Sequence, residues 1–361
     1  MSEELKKKLF YTAPNAAQKM TAAEIETADT FCEGYKDFLD AAKTEREAVK
    51  KAVELAELNG FRPYVEGSRY RAGSKIYYNN RGKAIILAVV GELGLSDGAR
   101  IVAAHIDSPR LDLRPNPLYE TDGEALFKTH YYGGIKKYQW TAIPLSLHGV
   151  IVKADGETVT VNVGEAEDDP KFVISDLLPH LAAEQMRKTM AEGIAGEDLN
   201  VIVGSRPFDN TDEAQNVKLN ILNILFEKYG ITEADFLSAE LEIVPAFKAC
   251  DIGFDRSLIG AYGHDDRVCA YPALMALLDT ELPNNTTFCV LTDKEEIGSE
   301  GNTGLNSNYM AYFIKALARA EGLEGETVLS KSKCLSADVN AAYDPNFAGV
   351  FEKNNSSYLN K

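Results

Sequence analysis

Arg100-Ile-Val-Ala-Ala-His105-Ile-Asp107 is the stretch on which the fold turns. Its apolar run follows a glycine-containing turn and reads as a short buried strand. The strand ends in His105 and Asp107, which share a face because side chains two apart point the same way. Ligands in open α/β sheets collect at such strand ends. A metal-bound imidazole usually needs a carboxylate to hold its ring. His105 can therefore bind a metal while Asp107 orients it. A strand end capped by a satisfied polar pair would look the same, so the reading needs further motifs.

Outward from this strand the texture alternates. Upstream, Lys75-Ile-Tyr-Tyr78, a turn at Asn79–Gly82 and Ala84–Val90 read as a β-hairpin. Before it, Ala22–Leu58 has helical periodicity and stops at Asn59-Gly60. Downstream, Leu111 to Val244 is β-rich, with runs such as Pro144–Lys153 and Thr158–Val163 and a helical stretch from Ala214 to Lys228. Strand–helix alternation resumes after Pro245, with a helix at Val268–Leu278, a strand at Thr287–Thr292, a helix at Asn308–Glu321 and a strand end at Cys334–Asp338. The expected architecture is an α/β domain made of residues 1–111 and 246–361, with a β-rich domain, 112–245, inserted between them.

Three more places put acidic residues or histidine at a strand end or helix start. His264-Asp265-Asp266-Arg267 precedes the Val268 helix, where Asp is also a favoured cap. Asp293-Lys-Glu295-Glu296-Ile-Gly298 follows a strand, and adjacent like charges there are costly unless a cation sits between them. Ser336-Ala-Asp338 closes the set. A pair of divalent ions needs a bridging carboxylate, terminal His and carboxylate ligands, and an unligated carboxylate as base. The chain supplies each type, with one His fewer than two symmetric sites would want. Such a set suits hydrolysis by a metal-activated water, with a Glu moving the proton.

Composition narrows the alternatives. The 361 residues are 45% hydrophobic and 26% charged, ordinary for a soluble globular protein of about two domains. A net charge of −17 repels nucleic acid and anionic lipid. The longest apolar run, Ala84–Val90, is too short to span a bilayer, and the N-terminus lacks a signal-peptide core. Five scattered cysteines with no CxxC pair read as reduced thiols of a cytoplasmic protein.

The motifs, taken in order, resemble those of the aspartyl aminopeptidase / aminopeptidase I family. They are His105-Ile-Asp107-Ser108-Pro109, Tyr132-Gly133-Gly134 followed by Trp140, and Tyr262-Gly263-His264-Asp265-Asp266-Arg267. Glu295-Glu296-Ile297-Gly298-Ser299 and Ser336-Ala337-Asp338-Val339, with Asp344-Pro345-Asn346 after it, complete the series. The resemblance covers Gly60 to the C-terminus. It implies a mixed-sheet, three-layer dizinc peptidase domain with an inserted dimerisation domain. It also implies two divalent ions, zinc first and cobalt or manganese as alternatives. His105 and Asp338 would bind one ion and Glu296 the other, with Asp265 bridging. Glu295 would be the general base, Asp107 would orient His105, and a cis peptide would join Asp265 to Asp266. His130 matches a histidine that reaches a neighbouring subunit's site. Short peptides would be the substrates and a homo-oligomer, dodecameric in the full-length form, the assembly.

The departures are specific. The family's last metal ligand is a His near its C-terminus, whereas the five histidines here are 105, 130, 148, 180 and 264. With the polar ending Asn354–Lys361, this leads us to expect a C-terminally truncated chain, inactive or binding metal in one site only. Ala341 and Asp344 replace two His of eukaryotic members, and Ala142-Ile143 replaces an Asp-Arg pair. Both changes point to a bacterial branch and away from acidic specificity. The competing reading is a family member that assembles without hydrolysing. Carboxypeptidase or deacetylase chemistry on the same scaffold is disfavoured by the Tyr-Gly-Gly and Trp signature.

Overall fold

The computed structural model describes residues 2–361 apart from Asp212. Three helices lead: α1 (Ser2–Leu9), α2 (Ala22–Ala41) and α3 (Glu45–Leu58). The single helix expected over 22–58 is therefore two. Thr44 ends the first by capping the second: its hydroxyl accepts from the Glu47 N–H, and the Glu47 carboxylate accepts from the Thr44 N–H. Thr21 and Glu24 start α2 in the same way. Thr-x-x-Glu is visible in the sequence, but helical periodicity on both sides masked the break.

Two sheets follow. The first begins with β1 (Arg62–Pro63), β2 (Lys75–Asn80), β3 (Ala84–Val89) and β4 (Arg100–His105). The second holds β5 (Arg110–Thr121), β6 (Glu124–Tyr132), β7 (Leu145–Val152), β8 (Thr158–Val163), β9 (Val201–Gly204) and β10 (Ala239–Pro245), with α4 (Asn216–Tyr229) before β10. A small hairpin, β11 (Cys250–Ile252) and β12 (Leu258–Gly260), leads back to α5 (His264–Leu278). Then β13 (Thr287–Thr292), α6 (Tyr309–Ala320), α7 (Gly325–Lys331) and β14 (Lys333–Ser336) complete the chain's regular elements.

The first sheet is mixed, in the order β1-β2-β3-β13-β4-β14. β3 is antiparallel to both neighbours, while β13, β4 and β14 run parallel. Helices cover both faces. Ile85, Leu87 and Val89 pack with Phe38, Val49 and Leu274 from α2, α3 and α5. Ile86 and Ala88 pack with Phe313, Ile314 and Leu317 from α6. That is why β3 reads as an unbroken apolar run instead of alternating.

The second sheet is antiparallel throughout, in the order β8-β7-β10-β5-β6-β9. Its core gathers Leu111, Phe127, Leu147, Val161 and Ile243 with Trp140, Val217 and Phe236. Between β8 and β9 the chain has only short 3-10 turns, and it exposes Leu177, Leu178, Leu181, Met186 and Met190. No described helix is long and apolar enough to cross a membrane.

Charge lines the seam between the two sheets. The Lys43 ammonium, in the break between α2 and α3, donates to Glu165 and to the Pro245 carbonyl, each at 2.8 Å. Glu45 lies 2.9 Å from Lys83 and 3.4 Å from Arg110, and Arg110 lies 3.2 Å from Glu242.

Candidate metal centre

Strand direction brings the site together. Because β4, β13 and β14 are parallel, their C-terminal ends lie on one edge. His105 pairs with Thr292 in register, and Ser336 pairs with Ala103. The residues that follow Thr292 and Ser336 therefore flank His105. The fourth contribution comes from the start of α5. Gly263 turns the chain at φ +84°, and a Cβ there would stand 1.7 Å from Arg267 Nη1. Arg267 is fully buried and donates to the carbonyls of Lys43 and Ile106, both at 3.0 Å. The Asp265–Asp266 peptide is cis. The Ser108 hydroxyl donates to the Asp265 carbonyl at 2.6 Å.

The result is an imidazole facing carboxylates. His105 is 3% exposed. Its Nε2 lies 3.1 Å from Asp265 Oδ1, 3.6 Å from Glu295 Oε2 and 3.9 Å from Asp338 Oδ1. Its Nδ1 lies 3.0 Å from the Asp107 carbonyl and 3.4 Å from the Asp107 carboxylate. With Nδ1–H donating to that carbonyl, Nε2 keeps a lone pair for a cation. One donor atom each from His105, Asp265 and Asp338 lie within 4.8 Å of one another. Three N/O donors with an open side suit a zinc of the catalytic kind.

Asp107 is fully buried. Its two oxygens accept from the Glu295 and Glu296 backbone N–H groups, each at 3.2 Å, and from the Tyr132 hydroxyl at 2.6 Å. Glu296 stands outside the three-residue group, with its backbone fixed by Asp107. His130 is exposed, its Nδ1 3.2 Å from the neighbouring Tyr131 carbonyl, and it makes none of the contacts that join the others. His264, beside Asp265, has both ring nitrogens engaged, by Tyr35 at 2.9 Å and by the Ile259 carbonyl at 3.1 Å.

The electrostatics describe a cluster short of positive charge. Burial would depress the His105 imidazole, but Asp107, Asp266 and Glu295 outweigh it and raise it to about 9. Burial, then Asp265, raises the Glu296 carboxyl to about 7. Burial likewise raises Asp266 to about 6. Beside Asp265 a cleft of about 740 Å³ opens, lined among others by Ile135, Trp140, Ile143, Phe247 and Tyr262. Ser108, Tyr132 and Arg267 were visible in the sequence motifs, yet nothing in their spacing assigned them contacts.

Residues 38–361 match the aminopeptidase I zinc metalloprotease (M18) family. The chain is 48% identical to a probable M18 family aminopeptidase 1 of Clostridium acetobutylicum, over 96% of this chain and 76% of that protein. It superposes on the crystal structure of an M18-family aminopeptidase from Thermotoga maritima with a TM-score of 0.91 and 43% identity, over 97% of this chain and 77% of that one. The S. cerevisiae mApe1 dodecamer shares the fold at a TM-score of 0.74 and 22% identity, over 92% and 76% of the two chains.

Proposed function

Because the chain belongs to the aminopeptidase I (M18) family of zinc metalloproteases, we propose that it removes the N-terminal residue from short peptides. The observation that carries this reading is the meeting of His105, Asp265 and Asp338 within 4.8 Å, with Asp265 also lining the adjoining cleft. Those three would hold a first zinc, and Asp265 with Glu296 a second. Cobalt or manganese would suit the same nitrogen and oxygen donors. Bound zinc lowers the pKa of its water and polarises a carbonyl.

The chain's own groups do the rest. Glu295, half-exposed beside His105, is the general base. It takes a proton from the attacking water and delivers it to the leaving amine. Asp107 holds His105 in the tautomer that leaves Nε2 free. Residues 1–111 and 246–361 form the catalytic unit. Residues 112–245 form the unit through which copies assemble into a homo-oligomer, a dodecamer like that of S. cerevisiae mApe1. The exposed Leu177, Leu178 and Leu181 support that role.

The test is hydrolysis of an aminoacyl p-nitroanilide as zinc is titrated in, with Glu295→Gln alongside. We expect kcat to fall about 10²- to 10⁴-fold in the variant, with zinc affinity changed little. Equal turnover by the variant would remove Glu295 from the reaction.

A further inference from the structure

The second sheet touches the metal cluster at one corner, the end of β6. Tyr132 donates its hydroxyl to Asp107 Oδ2 at 2.6 Å. Both other hydrogen bonds to that carboxylate come from backbone N–H groups of the Glu295–Glu296 turn. Tyr132 is thus the side-chain donor that fixes Asp107 from the second sheet, and Asp107 lies against His105 Nδ1. The ring of Tyr132 is itself held. The Arg110 guanidinium lies 3.8 Å from its centroid, within the range of a cation–π contact. Arg110 is in turn fixed by Asp112 at 2.8 Å, Glu242 at 3.2 Å and Glu45 at 3.4 Å. The next residue, Gly133, passes so close to Glu296 that a Cβ would lie 3.2 Å from that side chain. One corner therefore meets both the His105–Asp107 pair and Glu296.

We propose that Tyr132 is a positioning residue for the metal site. Its hydroxyl, held in place by Arg110, sets Asp107 and through it the ring of His105. The geometry of the second sheet is thereby transmitted to the metal-binding nitrogen. This rests on the reading of His105 as a metal ligand. Outer partners of a metal-bound histidine act by fixing its ring orientation and tautomer, and losing one costs about 10- to 100-fold in affinity.

Tyr132→Phe removes the hydroxyl and keeps the ring beneath Arg110. Cobalt(II) serves as the probe, because its visible absorption reports ligand geometry as well as binding. The experiment titrates cobalt into the parent, Tyr132→Phe, His105→Ala and Tyr131→Phe, and follows thermal unfolding of each in EDTA. We expect Tyr132→Phe to bind cobalt about 10- to 100-fold more weakly, with altered absorption bands and an unfolding midpoint close to the parent's. Tyr131→Phe, altered at the neighbouring half-exposed ring, should match the parent. A Tyr132→Phe protein with a lowered midpoint but parental cobalt affinity and spectrum would overturn the proposal and leave Tyr132 a structural residue. If His105→Ala binds cobalt as the parent does, the metal reading falls, and this proposal with it. If His105→Ala loses binding while Tyr132→Phe keeps it, only this proposal falls.

Discussion

The seam between the two sheets and the edge around His105 are both crowded with carboxylates, but they are neutralised in opposite ways. At the seam each acid has a cation of its own chain within reach. Glu45 has Lys83 and Arg110, Glu47 has His148, Glu165 has Lys43 and His148, and Glu242 has Arg110. At the edge a single imidazole faces Asp107, Asp265, Glu295 and Asp338. The seam even reproduces the distances of a nucleophilic triad, with Ser146 3.0 Å from His148 and His148 2.8 Å from Glu47. Ser146 is fully buried, however, and its hydroxyl also lies 2.8 Å from Glu165. Polar clusters that close on themselves hold a fold together. A cluster left short of positive charge is equipped to take a cation from outside.

The largest test of this contrast is at Arg110. Arg110→Met leaves Glu45 and Glu242 buried without that cation, so unfolding free energy in EDTA should fall by about 3–5 kcal/mol. A loss below about 1 kcal/mol, measured by urea denaturation, would mean that the seam does not depend on its internal pairing.

The edge should behave in the reverse sense. Asp338→Asn removes a charge from a crowded acidic group, so it should change stability in EDTA by no more than about 0.5 kcal/mol. Zinc at a hundred times its dissociation constant should stabilise the parent by about 2.7 kcal/mol. Asp338→Asn should lose most of that gain at the same zinc concentration. A large loss of stability in EDTA would instead put Asp338 among the groups that hold the fold.

The smallest effect is the pH dependence of the seam. Burial opposes charge on His148, but its bonds to Glu165 and Glu47 outweigh burial and raise it above 6.5. Its contribution is complete below that value and is lost as pH rises through the raised pKa. Burial would raise Glu47 and Glu165, yet His148 and their other partners hold both below 4.5. Their contribution is complete above that value and is lost as pH falls through the depressed ones. The His148–Glu47–Glu165 group should therefore hold best between pH 4.5 and 6.5. His148→Gln should flatten part of the alkaline decline in melting temperature, measured in EDTA. An unchanged slope would mean that another group titrates there.

The elements that build the edge were legible because each is short, apolar and bounded. β3, β4 and β13 read as buried runs, and reactive residues stand just beyond their ends. That the motifs at the strand ends would face one site could be argued from the rule that ligands gather there, but the choice of His105, Asp265 and Asp338 among their residues is what the family resemblance implies. Periodicity could not see the break at Thr44, which is fixed by a cap and by contacts of Lys43 with the second sheet. Nor could it pair Tyr132 with Asp107 or lay Arg110 on Tyr132, because these contacts depend on how the two sheets meet. His264 shows the converse. Its place beside Asp265 suggests a spare ligand, but Tyr35 and the Ile259 carbonyl already occupy its ring.

The parallel pairing of β4 with β13 and β14 also sets an order of assembly. β4 lies before the whole second sheet, while its two partners come after it. The second sheet is built from one unbroken length of chain, so its contacts close shorter loops and can form first. A chain emerging from the ribosome can therefore complete the second sheet while His105 still has neither neighbour. If Asp338 is a metal ligand, as proposed, metal capture would wait until that residue has been synthesised.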